Sequence, residues 1–235
     1  MWRPAAIPGT LLNTATVLVG SCIGLLLSHV LGPELQAAAL TGIGLVLIPL
    51  GAKMFFGVRN VLVVAGAIAL GGVIGVLCRI SPAIESLSTS LRNMVGGPSN
   101  FSEGWVTASV LFCVGPMTIL GCAEDALEGK SDLLRLKSLL DGIASVFLSA
   151  TLGIGVLFSA LTVLLVQGLI TQLGGLMRPL AENEDLMAEL TAIGGIFMLA
   201  IGLNLAKIKS VPTADYLPAL VLGPVFASLS NRKRA

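Results

Sequence analysis

The sequence predicts an all-α protein, a polytopic bundle of transmembrane helices, and three observations support this fold class. Hydrophobic residues make up 55% of the 235 residues and charged residues only 11%, whereas an ordinary soluble domain has about 25% charged residues. Apolar runs of about 20 residues, the length that spans a bilayer, recur along the whole chain. The 28 glycines and the aromatic content of only 5% indicate helices that pack closely through small residues. The lipid bilayer is therefore the first expected partner.

The apolar windows give about eight spans. They lie at 7–31, 36–56, 60–79, 105–123, 139–154, 155–176, 189–207 and 214–230. The first window is long enough to span, so we interpret it as a retained helix rather than a signal peptide. A single run from Leu139 to Leu176 would overshoot a bilayer of about 30 Å. We therefore expect a bend at residues 153–155, between two helices or between a re-entrant segment and a helix.

The positions of lysine and arginine between the spans predict the orientation. With eight spans and a cytoplasmic N-terminus, most basic residues fall on the cytoplasmic side. Those left outside are Arg79, Arg92, Lys207 and Lys209. Merging spans five and six would move Arg178 and the tail at residues 232–234 outside, against the positive-inside rule. We expect a multi-pass protein with both termini in the cytoplasm.

Two connecting segments are too polar to span. Residues 80–103 combine helically spaced apolar residues with a polar face that includes Glu85 and Arg92. This pattern is typical of an interfacial amphipathic helix followed by a turn. The acidic residues 182–185 predict a solvated loop that also caps the next helix.

The sequence contains a candidate internal repeat, in which spans one to three recur as spans six to eight. The matching blocks are 9–19 with 155–165, 41–44 with 191–194, and 69–73 with 221–225. An offset of five spans is odd, so the two copies would face opposite ways, as in inverted-repeat transporters that bind substrate near the midplane. The alternative is chance similarity among common membrane residues. We predict a single transmembrane domain, 1–235, with repeat one at 7–79, a central segment at 80–154 and repeat two at 155–230.

A helix break is predicted at Gly115 and Pro116, in the middle of span four. Proline removes a backbone donor and clashes with the preceding turn, and such a gap is tolerated at membrane depth only where protein or water satisfies the freed groups. These two residues form a candidate hinge. Freed carbonyls, with Met117 and Thr118, could then coordinate a cation or a polar solute. The alternative is a kink that only shapes packing.

Asp141 is the most informative acidic residue. Lys137 lies four residues earlier on the same helical face, so one interpretation is an N-terminal cap with a helical ion pair. The other is a proton- or cation-binding carboxylate that faces Glu124 and Asp125 across the hairpin. Adjacent residues point in different directions on a helix, so Glu124 and Asp125 cannot both line one path.

Further polar side chains lie inside the spans and are either interhelical fasteners or ligands for a solute. In the repeat, those of span one correspond to those of span six, and Asn204 corresponds to Lys53. The candidate ion- or substrate-binding residues are Asn13, Thr16, Ser21, Cys113, Met117, Thr118, Glu124, Asp125, Asp141, Ser159, Thr162, Gln167 and Asn204.

Enzyme chemistry finds little support in the sequence. We find no Gly-rich phosphate loop and no nucleophile with a base. With His29 the only histidine, a histidine-based metal site is excluded. We expect no enzymatic activity, no cofactor and no nucleic-acid partner. The stripes Gly20-x-x-x-Gly24 and Gly71-x-x-x-Gly75 allow close helix contacts, either within one subunit or across a homodimer.

Several motifs, in order along nearly the whole chain, are similar to those of a known family. They are residues 9–13 (GTLLN), 111–117 (LFCVGPM), 137–142 (KSLLDG), 153–160 (GIGVLFSA) and 201–204 (IGLN). The chain resembles the YqgA-type family of uncharacterised bacterial inner-membrane proteins (domain of unknown function 554), although Pro116 stands where a serine is more usual. The resemblance implies an inner-membrane location. The family's label of sodium channel or pump implies ion transport without an established activity.

Two functions remain as hypotheses. The first is a transporter or channel for a small ion or polar solute, coupled to sodium or protons through a carboxylate. Its ligands would be Asn13, Met117, Thr118, Asp141 and Gln167. The alternative is a non-transporting membrane scaffold or signalling protein, which predicts a fully packed, dry interior.

Overall fold

The structure is a computed structural model that describes residues 7–98, 100–174 and 180–232. All regular elements in these ranges are helical, which confirms the predicted class. The helices are α1 (Pro8–Ser28), α2 (Pro33–Phe55), α3 (Val61–Leu77), α4 (Ile80–Val95), α5 (Phe101–Cys113), α6 (Pro116–Glu128), α7 (Asp132–Leu152), α8 (Gly155–Gln172), α9 (Glu184–Leu205) and α10 (Ala219–Arg232). A short 3-10 turn at Thr213–Tyr216 precedes α10.

Among the described residues, four helices are long and apolar enough to cross a membrane: α1, α2, α8 and α9. The pairs α3–α4 and α5–α6, bent by 58° and 57°, raise this number to six if each pair counts as one span. Eight spans are therefore not confirmed within the described residues. The predicted fifth span lies within α7, a helix whose charged residues include Lys137 and Asp141. The predicted eighth span corresponds to α10, which has only 14 residues.

The distribution of side chains is that of a membrane protein. Large apolar residues point outward, such as Leu62 and Leu77 of α3, which are 83% and 76% exposed. Polar residues point inward, and Asn13 and Gln167 have 0% exposure. In water this arrangement would forfeit the hydrophobic driving force, whereas in a bilayer the outward face meets lipid.

The predicted bend between α7 and α8 is present at Gly153, whose φ of 75° lies in the left-handed region that favours glycine. The start of α7 differs from the prediction, because α7 begins at Asp132, seven residues before the expected window. Asp141 is therefore near the middle of α7 and cannot be its N-terminal cap. The ion pair with Lys137 is confirmed.

The chain divides into two compact units. Unit 1 comprises Met1–Ala39 and Ser88–Ala181, and unit 2 comprises Leu40–Leu87 and Glu182–Ala235. These boundaries differ from those of the repeat, which stays a prediction. In unit 1, α1 packs against α7 and α8, and α6 packs against the same two helices. Gly20 and Gly24 bring α1 directly against the backbone carbonyls of Gly142 and Val146.

In unit 2, glycines bring α2 against α9. Gly44 lies against Gly202, and Gly51 lies against Gly195. Helix α3 packs on α10 and on the 3-10 turn, where Gly75 meets the backbone of Asp215. Both predicted small-residue stripes thus make contacts within one chain.

The polar loops of unit 2 are fixed by local bonds. Asn183 accepts hydrogen bonds from the Asp185 and Leu186 amides, which confirms the predicted cap of α9. Arg59, before α3, forms ion pairs with Glu184 and Asp185. The hydrogen bonds that Arg59 donates to Glu184 and then to Asp185 raise the pKa of Arg59 above its ordinary value.

Candidate functional site

One face of α1 is polar and buried. Its buried residues recur at helical spacing and include Thr10, Asn13 and Ser21. The opposite face is apolar and includes Leu11 and Val19, which are more than half exposed. Since an amphipathic helix turns its buried stripe toward its neighbours, these side chains face α7 and α8.

The centre of the site is a buried ion pair with an amide. The Lys137 ammonium donates to Asp141 Oδ2 at 2.6 Å, and the Asn13 amide Nδ2 donates to the same oxygen at 2.9 Å. The side chains of Lys137 and Asp141 are 5% and 11% exposed. Side chains of two helices, α1 and α7, thus hold the Asp141 carboxylate in place. The Lys137–Asp141 pair has no net charge.

Two amides in this region have atoms without a hydrogen-bond partner among the described residues. These atoms are Asn13 Oδ1 and both polar atoms of the Gln167 side chain. Thr10 Oγ1 and Thr171 Oγ1 lie 3.5 Å apart and mark where α1 meets α8. Asn13 follows Thr10 by one turn and Gln167 precedes Thr171 by one turn, so both amides lie on the faces that bear this contact. Buried polar atoms are usually paired, so these amides require an explanation.

Asp125 and Glu124 bond elsewhere and do not share a hydrogen bond with Asp141. Asp125 accepts from Ser131 Oγ at 2.7 Å and from the Gly9 backbone amide at 3.3 Å, which satisfies a donor at the start of α1. Glu124 accepts from the Leu133 amide at 3.4 Å. Both therefore stabilise the α6–α7 turn and the helices that begin there.

The predicted break in span four is present. Helix α5 ends at Cys113, and α6 begins at Pro116, where proline's missing amide donor costs nothing. The buried Thr118 hydroxyl bridges the break by donating to the Phe112 carbonyl at 3.2 Å. Met117 and Cys113 are half-buried beside it. The break at Gly115 and Pro116 therefore lies between the C-terminus of α5 and the N-terminus of α6.

Helix α6 also contacts the amide region of α8. Cys122 Sγ donates to the Gln167 backbone carbonyl at 3.6 Å. The Cys122 and Thr171 side chains are also hydrogen-bonded to each other. Gln167 therefore lies on a part of α8 that α6 contacts, one turn from the Thr171 contact with α1. Nothing in the single-sequence pattern indicated Cys122 or Thr171, although Thr171 follows Gln167 by one helical turn.

The remaining candidates of unit 1 form no hydrogen bond with Lys137 or Asp141 among the described residues. Thr16 and Ser159 donate to carbonyls of their own helices, at 2.9 Å and 2.6 Å. Thr162 accepts from Trp105 Nε1 at 3.0 Å and from Ser109 at 2.9 Å. Ser21 is fully buried with no partner for its hydroxyl among the described residues.

Asn204, in unit 2, binds the Val211 backbone through both ends of its amide, at 2.7 Å and 3.0 Å. It therefore closes the turn that follows α9. Within the ranges 7–98, 100–174 and 180–232, no group of three or more His, Cys, Asp or Glu side chains could hold a metal ion.

A broken helix, small-residue packing and inward polar side chains define this molecule as an α-helical membrane protein with a buried polar site. The chain belongs to the family described as "Protein of unknown function (DUF554)", which matches residues 8–228. This confirms the resemblance noted in the sequence.

Two relatives match over nearly their whole length. The chain is 32% identical to "Uncharacterized membrane protein YdfK" of Bacillus subtilis (strain 168) over 221 residues, which are 92% of this chain and 94% of the relative. It is 28% identical to "Uncharacterized protein YqgA" of Escherichia coli (strain K12) over 220 residues, 91% of this chain and 93% of the relative. No solved structure matches the chain.

Proposed function

We propose that this protein is a transporter or channel for a small ion or polar solute. It resides in the bacterial inner membrane, with both termini in the cytoplasm, and its pathway passes through the polar site of unit 1. The observation on which this rests is a pair of fully buried amides, Asn13 and Gln167, whose side chains have polar atoms without a partner among the described residues. Asn13 also binds Asp141 of the ion pair.

The energetics of buried polar groups favour a ligand over a fastener. An unsatisfied buried donor or acceptor costs about 1–3 kcal/mol, and an apolar side chain of similar volume would avoid that cost. A fastener would have its amide paired, as Asn204 does with Val211. The Gln167 side chain is not paired within the described residues, which is the state expected of a ligand for a transient species.

The broken helix supports the same function. Irregular backbone at membrane depth is tolerated where protein or a water-lined path satisfies it, and discontinuous helices form the binding sites of many transporters. The break at Gly115 separates α5 from α6, and α6 packs against α1, α7 and α8. In this proposal the break and the residues beside it, Met117 and Thr118, give the site its conformational freedom.

The packing of the predicted repeat elements is a third support. Each helix of repeat one packs against its counterpart in repeat two: α1 on α8 in unit 1, and α2 on α9 and α3 on α10 in unit 2. The pairs Gly44–Gly202 and Gly51–Gly195 run in opposite order along α2 and α9, so these helices are antiparallel. An inverted repeat requires counterparts to be antiparallel. Asp141 is then the candidate carboxylate for coupling transport to sodium or protons.

A flux assay on purified protein in proteoliposomes tests this function. The assay measures proton, sodium, potassium and small polar solute flux with Asn13→Leu and Gln167→Leu. Gln36→Leu is the matched control, because the half-buried Gln36 amide donates to the Ser28 and Leu31 carbonyls at 3.1 Å and 2.9 Å, away from the ion pair.

We expect wild type and Gln36→Leu to transport at least one species and both site variants to lose that flux. No flux of any species, or equal flux in all four proteins, would favour the scaffold or signalling alternative instead.

A further inference from the structure

We propose that the site of unit 1 binds one monovalent cation and that the Lys137 ammonium is a tethered competitor for it. The cation would take the place of the ammonium on Asp141, and the side chains of Asn13 and Gln167 would turn so that Asn13 Oδ1 and Gln167 Oε1 complete its ligands. The inference rests on the proposed function and names its substrate class.

The orientation of Asn13 shows which atoms are available. Its Nδ2 is committed to Asp141 at 2.9 Å. The two polar atoms of an amide lie on opposite sides of the carbonyl carbon, so Oδ1 does not face Asp141 Oδ2, and it has no partner among the described residues. Asn13 itself lies one turn from Thr10, at the interface of α1 with α8. Gln167 lies on the α8 side of that interface, with its amide unpartnered among the described residues. Amide and carboxylate oxygens are ligands suited to a hard cation.

Burial limits the size of the bound species. Asn13, Gln167, Thr10 and Thr171 each have 0% exposure, so neighbouring side chains close over the two amides. No water-sized sphere touches these side chains in this arrangement, so a species that binds there must be a small dehydrated ion or must displace neighbouring side chains. A larger organic solute would require the helices to separate.

The charge balance of the site favours a monovalent cation. The Asp141 carboxylate is neutralised by one ammonium at 2.6 Å, and both side chains are nearly buried. An uncompensated charge there would be costly, so whatever takes the place of the ammonium must bring one positive charge. A divalent ion would leave an excess charge, and an anion would leave two.

The Lys137–Asp141 ion pair also has features that allow another cation to displace the ammonium. Lysine precedes aspartate by four residues on α7, which is the weaker order for a helical ion pair. The ammonium is at the end of a flexible stem. The exposed Asp132 and Arg135 lie at the solvent-exposed start of α7, within about one and a half turns of Lys137. Lys137 can therefore withdraw toward that end when another cation takes its place.

Cation binding to purified protein in detergent tests the inference. Calorimetry and thermal unfolding are followed with lithium, sodium, potassium and rubidium chloride against N-methyl-D-glucamine chloride at constant ionic strength. The variants are Lys137→Met, Lys137→Gln and Lys137→Met with Asp141→Asn. Lys130→Met is the control, because Lys130 pairs with Glu128 at an exposed position.

We expect Lys137→Met to bind at least one of the four cations more tightly than wild type, by roughly tenfold or more, since removing a competitor raises the fraction of competent sites. Its unfolding temperature should rise with cation concentration. The double variant should bind none, and Lys130→Met should match wild type.

Folded Lys137 variants without a gain in cation affinity would overturn the inference. Failure of both Lys137 variants to fold, while Lys130→Met folds, would also overturn it, because Lys137 would then be a fixed structural charge. A gain in binding without any flux in wild type would support the cation site and refute the transport function. Flux that depends on Gln167, without a gain in cation affinity in the Lys137 variants, would support the transport function and refute the cation site.

Discussion

Lys137 Nζ lies 2.6 Å from Asp141 Oδ2, one turn away on the same helix and almost completely buried. The carboxylate has one further partner on another helix, Asn13, 128 residues away in sequence. This ion pair therefore joins the stability of α7 to its packing on α1. It has consequences for stability that are separate from any transport activity.

Asp141→Asn should destabilise the protein by about 3–5 kcal/mol, because it leaves the Lys137 ammonium buried without its counter-charge. Combining Asp141→Leu with Lys137→Met should restore part of that loss, since an apolar pair needs no counter-charge. The restoration is incomplete because the buried Asn13 amide loses its acceptor. Thermal unfolding in detergent without small cations measures both effects. Equal losses in the single and double variants would contradict the pairing.

Gln167→Leu should keep or raise the unfolding temperature, because it removes buried polar atoms that have no partner among the described residues. Asn204→Leu is the contrasting variant. It leaves the Val211 amide and carbonyl without the partners they now have, so a loss of about 1–3 kcal/mol is expected. A larger loss in Gln167→Leu than in Asn204→Leu would show that Gln167 is a structural fastener.

Gly20→Ala should weaken the packing of α1 on α7 by about 1–3 kcal/mol, since the new methyl group would collide with the Gly142 carbonyl and the Ser145 hydroxyl. Gly168→Ala on α8 is the matched control, because no atom of the described residues lies within 4 Å of an added Cβ, apart from its own helix. The control should be neutral or slightly stabilising. Chemical denaturation of the purified variants compares the two, and similar losses would argue against the α1–α7 contact.

Cys113 should react with a membrane-impermeant maleimide in a variant that retains it as the sole cysteine. It is half-buried at the break between α5 and α6, where the proposed pathway passes, whereas Cys122 is fully buried. The matched variant with Cys122 alone should react much more slowly. Labelling of intact cells and of inverted vesicles measures both rates, and no reaction of Cys113 from either side would count against a wet pathway.

Much of the local structure could be predicted from the sequence. Apolar runs indicate helices whatever their neighbours, proline at 116 must interrupt or begin a helix, and the spacing of Lys137 and Asp141 puts them on one face. The start of α7 was wrong because a window based on hydropathy excludes the charged first turns, from Asp132 onward. In the structure these turns are helical, with Leu134 buried beneath them.

The candidate site could be predicted only in part. Asn13, Asp141 and Gln167 stand out as polar residues in apolar surroundings. Their grouping, and the separation of Glu124 and Asp125 from Asp141, depend on which helices are neighbours. Periodicity describes one helix at a time and contains no information about the partner that its face will meet.

The sequence alone determined that this protein is helical and resides in a membrane, because composition and apolar run length are properties of the chain itself. Only the tertiary structure decided that the Gly20 and Gly71 stripes pack within one chain, that Asn204 closes a turn, and that Asn13 shares a carboxylate with Lys137. These outcomes depend on contacts between distant segments. Such contacts exist only once the helices have packed together.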